Sequence, residues 1–236
     1  MKAMEIKDFE LYAERILKQY APEHLKEIGP LDVEALAHNI GLKIKVLRLS
    51  ENLEEEPILG MCIFEDQQVE VYHPEIDAFI PEPIEAGTIL IYSLTKEIRG
   101  YGCYRNTVVH ECVHWLKDKD LFLKATGCGA ELPDEEIARI EYEVGHITPR
   151  ILMPRKTFSK AVKECLESVR EVEPDAFRKG GCLSKVPREN CDTYALRELI
   201  RLVADQFETS ATSTEIRMKE LGFYFTKYIR LYRMYL

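Results

Sequence analysis

Five consecutive residues, His110-Glu111-Cys112-Val113-His114, have the types and the spacing for metal-assisted hydrolysis. Histidines four apart on a helix stand one turn above each other, so both imidazoles can reach one ion. Glu111 lies beside them and can take a proton from a water that the ion polarises. Zn2+ suits such a donor set. It acts as a Lewis acid on a carbonyl and lowers the pKa of a water to roughly 7. The bland reading is a surface helix that happens to carry two histidines and a glutamate. Against it, Val109, Cys112, Val113 and Leu116 recur at i, i+3, i+4 and i+7, giving the helix a core-facing stripe. Asn106 stands where an N-cap is expected. Cys112 falls on the stripe, which makes it a buried thiol rather than a ligand.

A catalytic zinc takes three protein ligands and leaves one position open. A third histidine six residues on, after a glycine, is ruled out by Lys117 and Asp120. A glutamate on a following helix is the other common solution, and the segment from Asp134 supplies that helix. Ile137, Ile140, Val144, Ile147 and Ile151 form its apolar stripe, and the periodicity turns Glu141 toward it. A carboxylate on a core-facing edge is costly unless paired or bound to metal, which favours Glu141 over Glu143. A buried glutamate paired with an arginine is the bland reading, and His146 is a lesser alternative ligand. Pro149 predicts that the helix ends or kinks there.

The elements around these residues read as follows. Residues 6–20 form an amphipathic helix with Phe9, Leu11, Tyr12, Ile16, Leu17 and Tyr20 as its stripe, ended by Pro22. Residues 31–40 form a short helix before Gly41. Residues 43–49 alternate as a half-buried strand. Residues 58–64 and 69–72 flank Glu65-Asp66-Gln67-Gln68 as a hairpin, residues 74–85 form a loop, and residues 87–93 form a last strand. Helices are expected over 106–118, 134–148, 155–169, 192–207 and 211–221, with Ser210 and Gly222 as caps of the last. Strands followed by a run of helices indicate an α+β protein.

Composition narrows the partners. The 236 residues carry 46% hydrophobic and 31% charged side chains, the balance of a globular chain. A net charge of −9 counts against nucleic acid, whose phosphates require a basic surface. No apolar run is long enough to span a membrane, and residues 1–20 lack the apolar core of a signal peptide. Seven cysteines without a CxxC pair predict reduced thiols and a cytoplasmic location. Cys165, Cys182 and Cys191 lack the knuckle spacing of a second zinc site. The aromatic and basic stretch 224–236 reads as a docked amphipathic element rather than a stacking surface for nucleic acid.

Three blocks resemble one family, the ImmA/IrrE metallopeptidases. They are NTVVHECVHW; IEYEVGHITPRILMP, similar to the family's Glu-x-x-Ala-Asn/Asp run into Leu-Met-Pro; and RLVADQFETSATSTEIRMKELGF, similar to its C-terminal Arg-Met/Leu-x-x-Leu-Gly segment. With a weaker N-terminal match, the resemblance covers most of the chain. It implies a zincin-like domain, placed over 1–170; the polar stretch with Pro174, Gly180-Gly181 and Pro187 reads as a loop or linker over 171–191, and the helix pair after it as a helical, helix-turn-helix-like subdomain over 192–236. The resemblance places zinc ligands on His110, His114 and Glu141 and the catalytic carboxylate on Glu111. Val144 and Gly145 depart from the family's Ala and Asn or Asp, which removes an outer hydrogen bond at that point. The family includes proteases acting on regulatory proteins, notably repressors of mobile elements. The resemblance therefore implies a zinc endopeptidase with a protein or peptide substrate and a role in transcriptional regulation. The competing class is a non-catalytic zinc-binding regulator working through protein contacts, less so DNA contacts, of its C-terminal helices. An intact Glu111 argues against it. An extended peptide is expected to add along the strand at 87–93.

Overall fold

The computed structural model describes residues 6–49, 59–93, 95, 100–172 and 193–223. The chain forms two compact units. One comprises Met1–Pro22 and Leu31–Leu152, the other Glu23–Pro30 and Met153–Leu236. The architecture is α+β, and among the described residues every strand lies in the first unit. No helix among the described residues is long and apolar enough to cross a membrane.

The first unit opens with α1 (Ile6–Tyr20). Phe9, Ala13, Ile16 and Leu17 are its buried face, whereas Leu11 is 60% exposed and stands outside the expected stripe. Helix α2 (Val33–Ile40) is closed at both ends by its sequence. Asp32 accepts the Ala35 N–H at 2.8 Å, and Gly41 takes the left-handed conformation (φ 94°) that ends it.

Five strands follow: β1 (Lys43–Leu47), β2 (Gly60–Ile63), β3 (Gln67–His73), β4 (Ala78–Ile84) and β5 (Thr88–Tyr92). They pair differently from the sequence expectation. β5 is the centre of a three-stranded sheet, parallel to β1 and antiparallel to β2. The run of five buried residues in β5 fits a strand covered on both sides. The expected hairpin between β2 and β3 does not form. β3 instead pairs antiparallel with β4, over residues that read as a loop because of Pro81 and Pro83. Those prolines, two apart, face the same way. Among the described residues β4 pairs with β3 alone, so an N–H missing from its other edge costs little.

One face of the three-stranded sheet carries Ile63, Leu90 and Tyr92 into a cluster with Leu49 and Ile84. The other face meets α3 (Tyr101–Gly127), a helix far longer than the 106–118 expected. It starts after Gly100 (φ 84°), not at Asn106, because Tyr104 and Arg105 add a buried turn before the apolar stripe. The contact is close at Gly60. A Cβ there would stand 2.6 Å from the Thr107 methyl and 2.9 Å from the Leu90 carbonyl. The Thr107 hydroxyl is bonded to the Cys103 carbonyl at 3.0 Å, so the methyl is held in place. We expect Gly60→Ala to lower stability by about 1–3 kcal/mol, read as a fall in thermal midpoint. An unchanged midpoint would mean that the sheet and α3 are less tightly apposed.

Helix α4 (Asp134–Leu152) completes the unit and packs on α1 and α3. It runs through Pro149 rather than ending there. The carbonyl of Gly145, left without its helical donor, lies at an exposed residue where water can satisfy it. Arg150 donates to the His146 carbonyl at 2.6 Å, and Ile147, Ile151 and Leu152 are buried, so packing holds the last turn.

The second unit contains α5 (Arg155–Val172), α6 (Thr193–Phe207) and α7 (Ala211–Glu220). Phe158, Leu199, Val203 and Phe207 are fully buried in it. Ser210 caps α7 as expected, accepting the Ser213 N–H at 3.1 Å. Leu221 is the C-cap, with Gly222 in the left-handed region (φ 76°) just after it. Buried Arg217 donates to the Met153 carbonyl at 3.2 Å. Helix α5 belongs to this unit. Most of the expected 171–191 loop, the 224–236 tail, Cys182 and Cys191 lie outside the described residues.

Candidate metal centre

Helix α3 supplies His110 and His114, and α4 supplies Glu141. The structure brings the three together. The two His Nε2 atoms lie 3.0 Å apart. Glu141 Oε2 is 3.2 Å from His110 Nε2, and Glu141 Oε1 is 3.3 Å from His114 Nε2. Donors held about 2.0–2.1 Å from a tetrahedral ion stand roughly 3.3–3.4 Å from one another. The observed triangle is within a few tenths of an ångström of that. This donor group could hold a metal ion. It is also a site that demands positive charge. Burial opposes protonation of His114, yet bonds to Asp118 and Glu141 raise its pKa to about 9. The two histidines hold the Glu141 carboxyl far below the usual carboxylate range, against the opposing effect of burial. A cation between the donors meets the same demand.

The side chain of His114 is 8% exposed, that of His110 22% and that of Glu141 52%. The triangle is therefore closed beneath and open on the Glu141 side. This corrects the reason given for Glu141. It is not the core-facing glutamate of its helix. Glu143 is, at 3% exposure, paired with Lys117 at 2.8 Å and Arg139 at 2.9 Å. The apolar stripe points to 141, but the core holds a carboxylate at 143 because two cations meet it there. His146 takes no part in the donor triangle. It stacks on Phe9 with centroids 5.3 Å apart. Cys112 is buried, as its place on the stripe required.

Two features escaped the sequence reading. The first is Asp118, one turn beyond His114. Its Oδ2 lies 3.2 Å from His114 Nδ1. An Nδ1–H donating to this carboxylate leaves Nε2 as the lone-pair nitrogen, aimed at the other donors. A carboxylate four residues after a ligand histidine was the available signal. Asp118 thus supplies an outer hydrogen bond of the kind that Gly145, exposed and with no side chain, does not.

The second is the backbone of β2. Glu111 is buried and accepts a hydrogen bond from the Cys62 N–H. Burial raises its pKa. The charges of His110 and His114 and the Cys62 N–H act the other way. Tyr92 donates its N–H to the Leu59 carbonyl at 3.0 Å. By the alternation of an antiparallel ladder, Gly60 and Cys62 turn their backbone groups away from β5. β2 is an edge strand of its sheet, and that edge faces the carboxylate of Glu111. The expectation that residues 87–93 form the accepting edge is corrected accordingly, since β5 is paired on both sides. No pairing pattern in the sequence marks which strand is central.

Burial, with the Glu111 charge behind it, pushes the Cys62 thiol up to about 12. At pH 8 its thiolate fraction is on the order of 10⁻⁴. Exposed Cys128 is expected to be alkylated by iodoacetamide long before Cys62, as read by peptide mapping. Equal rates would show that Cys62 lies in a far more polar setting. Compared with known family models and with curated proteins, the sequence matches none.

Proposed function

We propose that this chain is a zinc-dependent endopeptidase of the ImmA/IrrE type, with a zincin-like first unit. One observation carries the reading. Three donors at tetrahedral spacing stand beside a buried carboxylate, Glu111, that is not one of them. A structural site usually closes with four ligands, whereas three donors with an open side are what a hydrolytic centre requires. His110, His114 and Glu141 would hold the zinc, which would supply Lewis acidity and an activated water near neutral pH.

The chain's own residues do the rest. The Cys62 N–H fixes the direction of the Glu111 carboxylate. Its burial brings the pKa toward that of a group able to take and return a proton. Glu111 accepts the proton of the attacking water and then delivers it to the leaving amine. Asp118 holds the His114 ring. The outward backbone groups of Gly60 and the Cys62 carbonyl offer an extended peptide a strand to pair with. The substrate class is accordingly a protein segment that can straighten, and a repressor-type regulator is the candidate that the resemblance suggests.

The test is hydrolysis of an unstructured peptide library by the purified chain, with and without added zinc. Zinc-dependent cleavage that a chelator stops and fresh zinc restores is expected. A zinc-loaded chain that cleaves no peptide and no candidate regulator would leave only the binding reading.

A further inference from the structure

We infer that Lys117 is a positioning residue of the metal centre, clamping together the two helices that carry the ligands. The inference rests on the proposed zinc site. His114 lies three residues before Lys117 on α3, and Glu141 lies two residues before Glu143 on α4. The Lys117 ammonium sits 2.7 Å from Asp118 Oδ1 and 2.8 Å from Glu143 Oε2. Asp118 uses its other oxygen on His114 Nδ1 at 3.2 Å. Glu143 uses its other oxygen on Arg139, at 2.9 Å, and Arg139 reaches Glu136 through Nε at 3.1 Å. A continuous polar path thus runs from a ligand histidine on one helix to the backbone region of the ligand glutamate on the other.

The burial makes this more than a surface ion pair. Lys117 is 13% exposed by side chain, and Asp118 and Glu143 are 3% each. Two carboxylates removed from water need compensating charge, and Lys117 is the cation they share, beside Arg139 on Glu143 and His114 on Asp118. The apolar contacts between α3 and α4 are non-directional and permit the helices to slide. A lysine bonded to both is directional and does not. A ligand set loses its geometry at displacements of about 0.5 Å. Lys117 also holds Asp118 in the orientation that presents its other oxygen to His114. Tyr12 of α1 is the further titratable group facing Asp118, and its hydroxyl pKa, raised first by burial and then by Asp118, reaches about 12, so it stays neutral.

The experiment is a zinc competition titration against a fluorescent chelator, using the full chain. Lys117→Met, Lys117→Arg, Glu143→Gln and the exposed-site control Lys124→Met are compared with the native chain, and thermal midpoints are recorded for each. Lys117→Met is expected to weaken zinc about 10–100-fold. Lys117→Arg should regain part of the loss, and Lys124→Met should equal the native chain. Glu143→Gln should fall between them, which keeps the inference testable if Lys117→Met does not fold. Native zinc affinity in Lys117→Met or Glu143→Gln, with only the midpoint lowered, would overturn the clamp and leave the metal site standing. A native chain that takes up no zinc would overturn both.

Discussion

Glu111→Gln is expected to reduce peptide hydrolysis by about 10³-fold while zinc stays bound with native affinity. General acid–base groups contribute about 10²–10⁴-fold. The amide keeps the shape of the carboxylate, and its oxygen can still accept the Cys62 N–H, but it cannot take a proton from water. Glu111 is not among the three donors, so removing its charge leaves the triangle intact. Stability should not fall either. Burial disfavours the charge on Glu111, and a neutral isostere avoids that cost. Assayed on a peptide that the native chain cuts, the variant separates chemistry from binding. Unaltered turnover would remove Glu111 from the mechanism and leave the metal site in place.

The second large effect comes from two glutamates two residues apart. Glu141→Ala is expected to abolish zinc binding at micromolar free zinc and to leave the fold intact. Its side chain is 52% exposed, and its partners are the two histidines. Exposed substitutions usually change stability by no more than about 0.5 kcal/mol. Glu143→Ala should act mainly on the fold, with zinc weakened through the loss of the Lys117 bridge but not abolished. It removes the buried carboxylate that Lys117 and Arg139 share, leaving Lys117 with Asp118 alone and Arg139 with Glu136, and should cost about 3 kcal/mol. Chemical denaturation of the zinc-free variants reads the second effect, and a chelator titration reads the first. A destabilised Glu141→Ala with zinc still bound would mean that the roles of the two carboxylates are exchanged.

That pair also shows what the sequence could and could not convey. Histidines at i and i+4 around a glutamate specify a geometry on their own, because a helix has only one pitch. The third donor is harder to read. Periodicity locates the core face of α4 but not the cations waiting there, and those cations are why Glu143 can be buried while Glu141 stays half exposed. Asp118 was within reach of the same i, i+4 logic that found the histidines. The Cys62 N–H was not, since it depends on which strand ends up at the sheet edge. Strand order is set by long-range pairing. Alternation in residues 60–72 fits a β2–β3 hairpin as well as the observed partners. The helices were legible where caps were local, as at Gly41 and Ser210. They were misjudged where tertiary packing extended them, before Asn106 and past Pro149.

The central claim is that His110, His114 and Glu141 form one metal site. It is tested most directly by measuring zinc per chain after equilibrium dialysis at micromolar free zinc, for the native protein and for Glu141→Ala. One tightly held zinc per native chain and none in the variant is the expected result. A native chain that retains no zinc, or a variant that retains it equally, would contradict it.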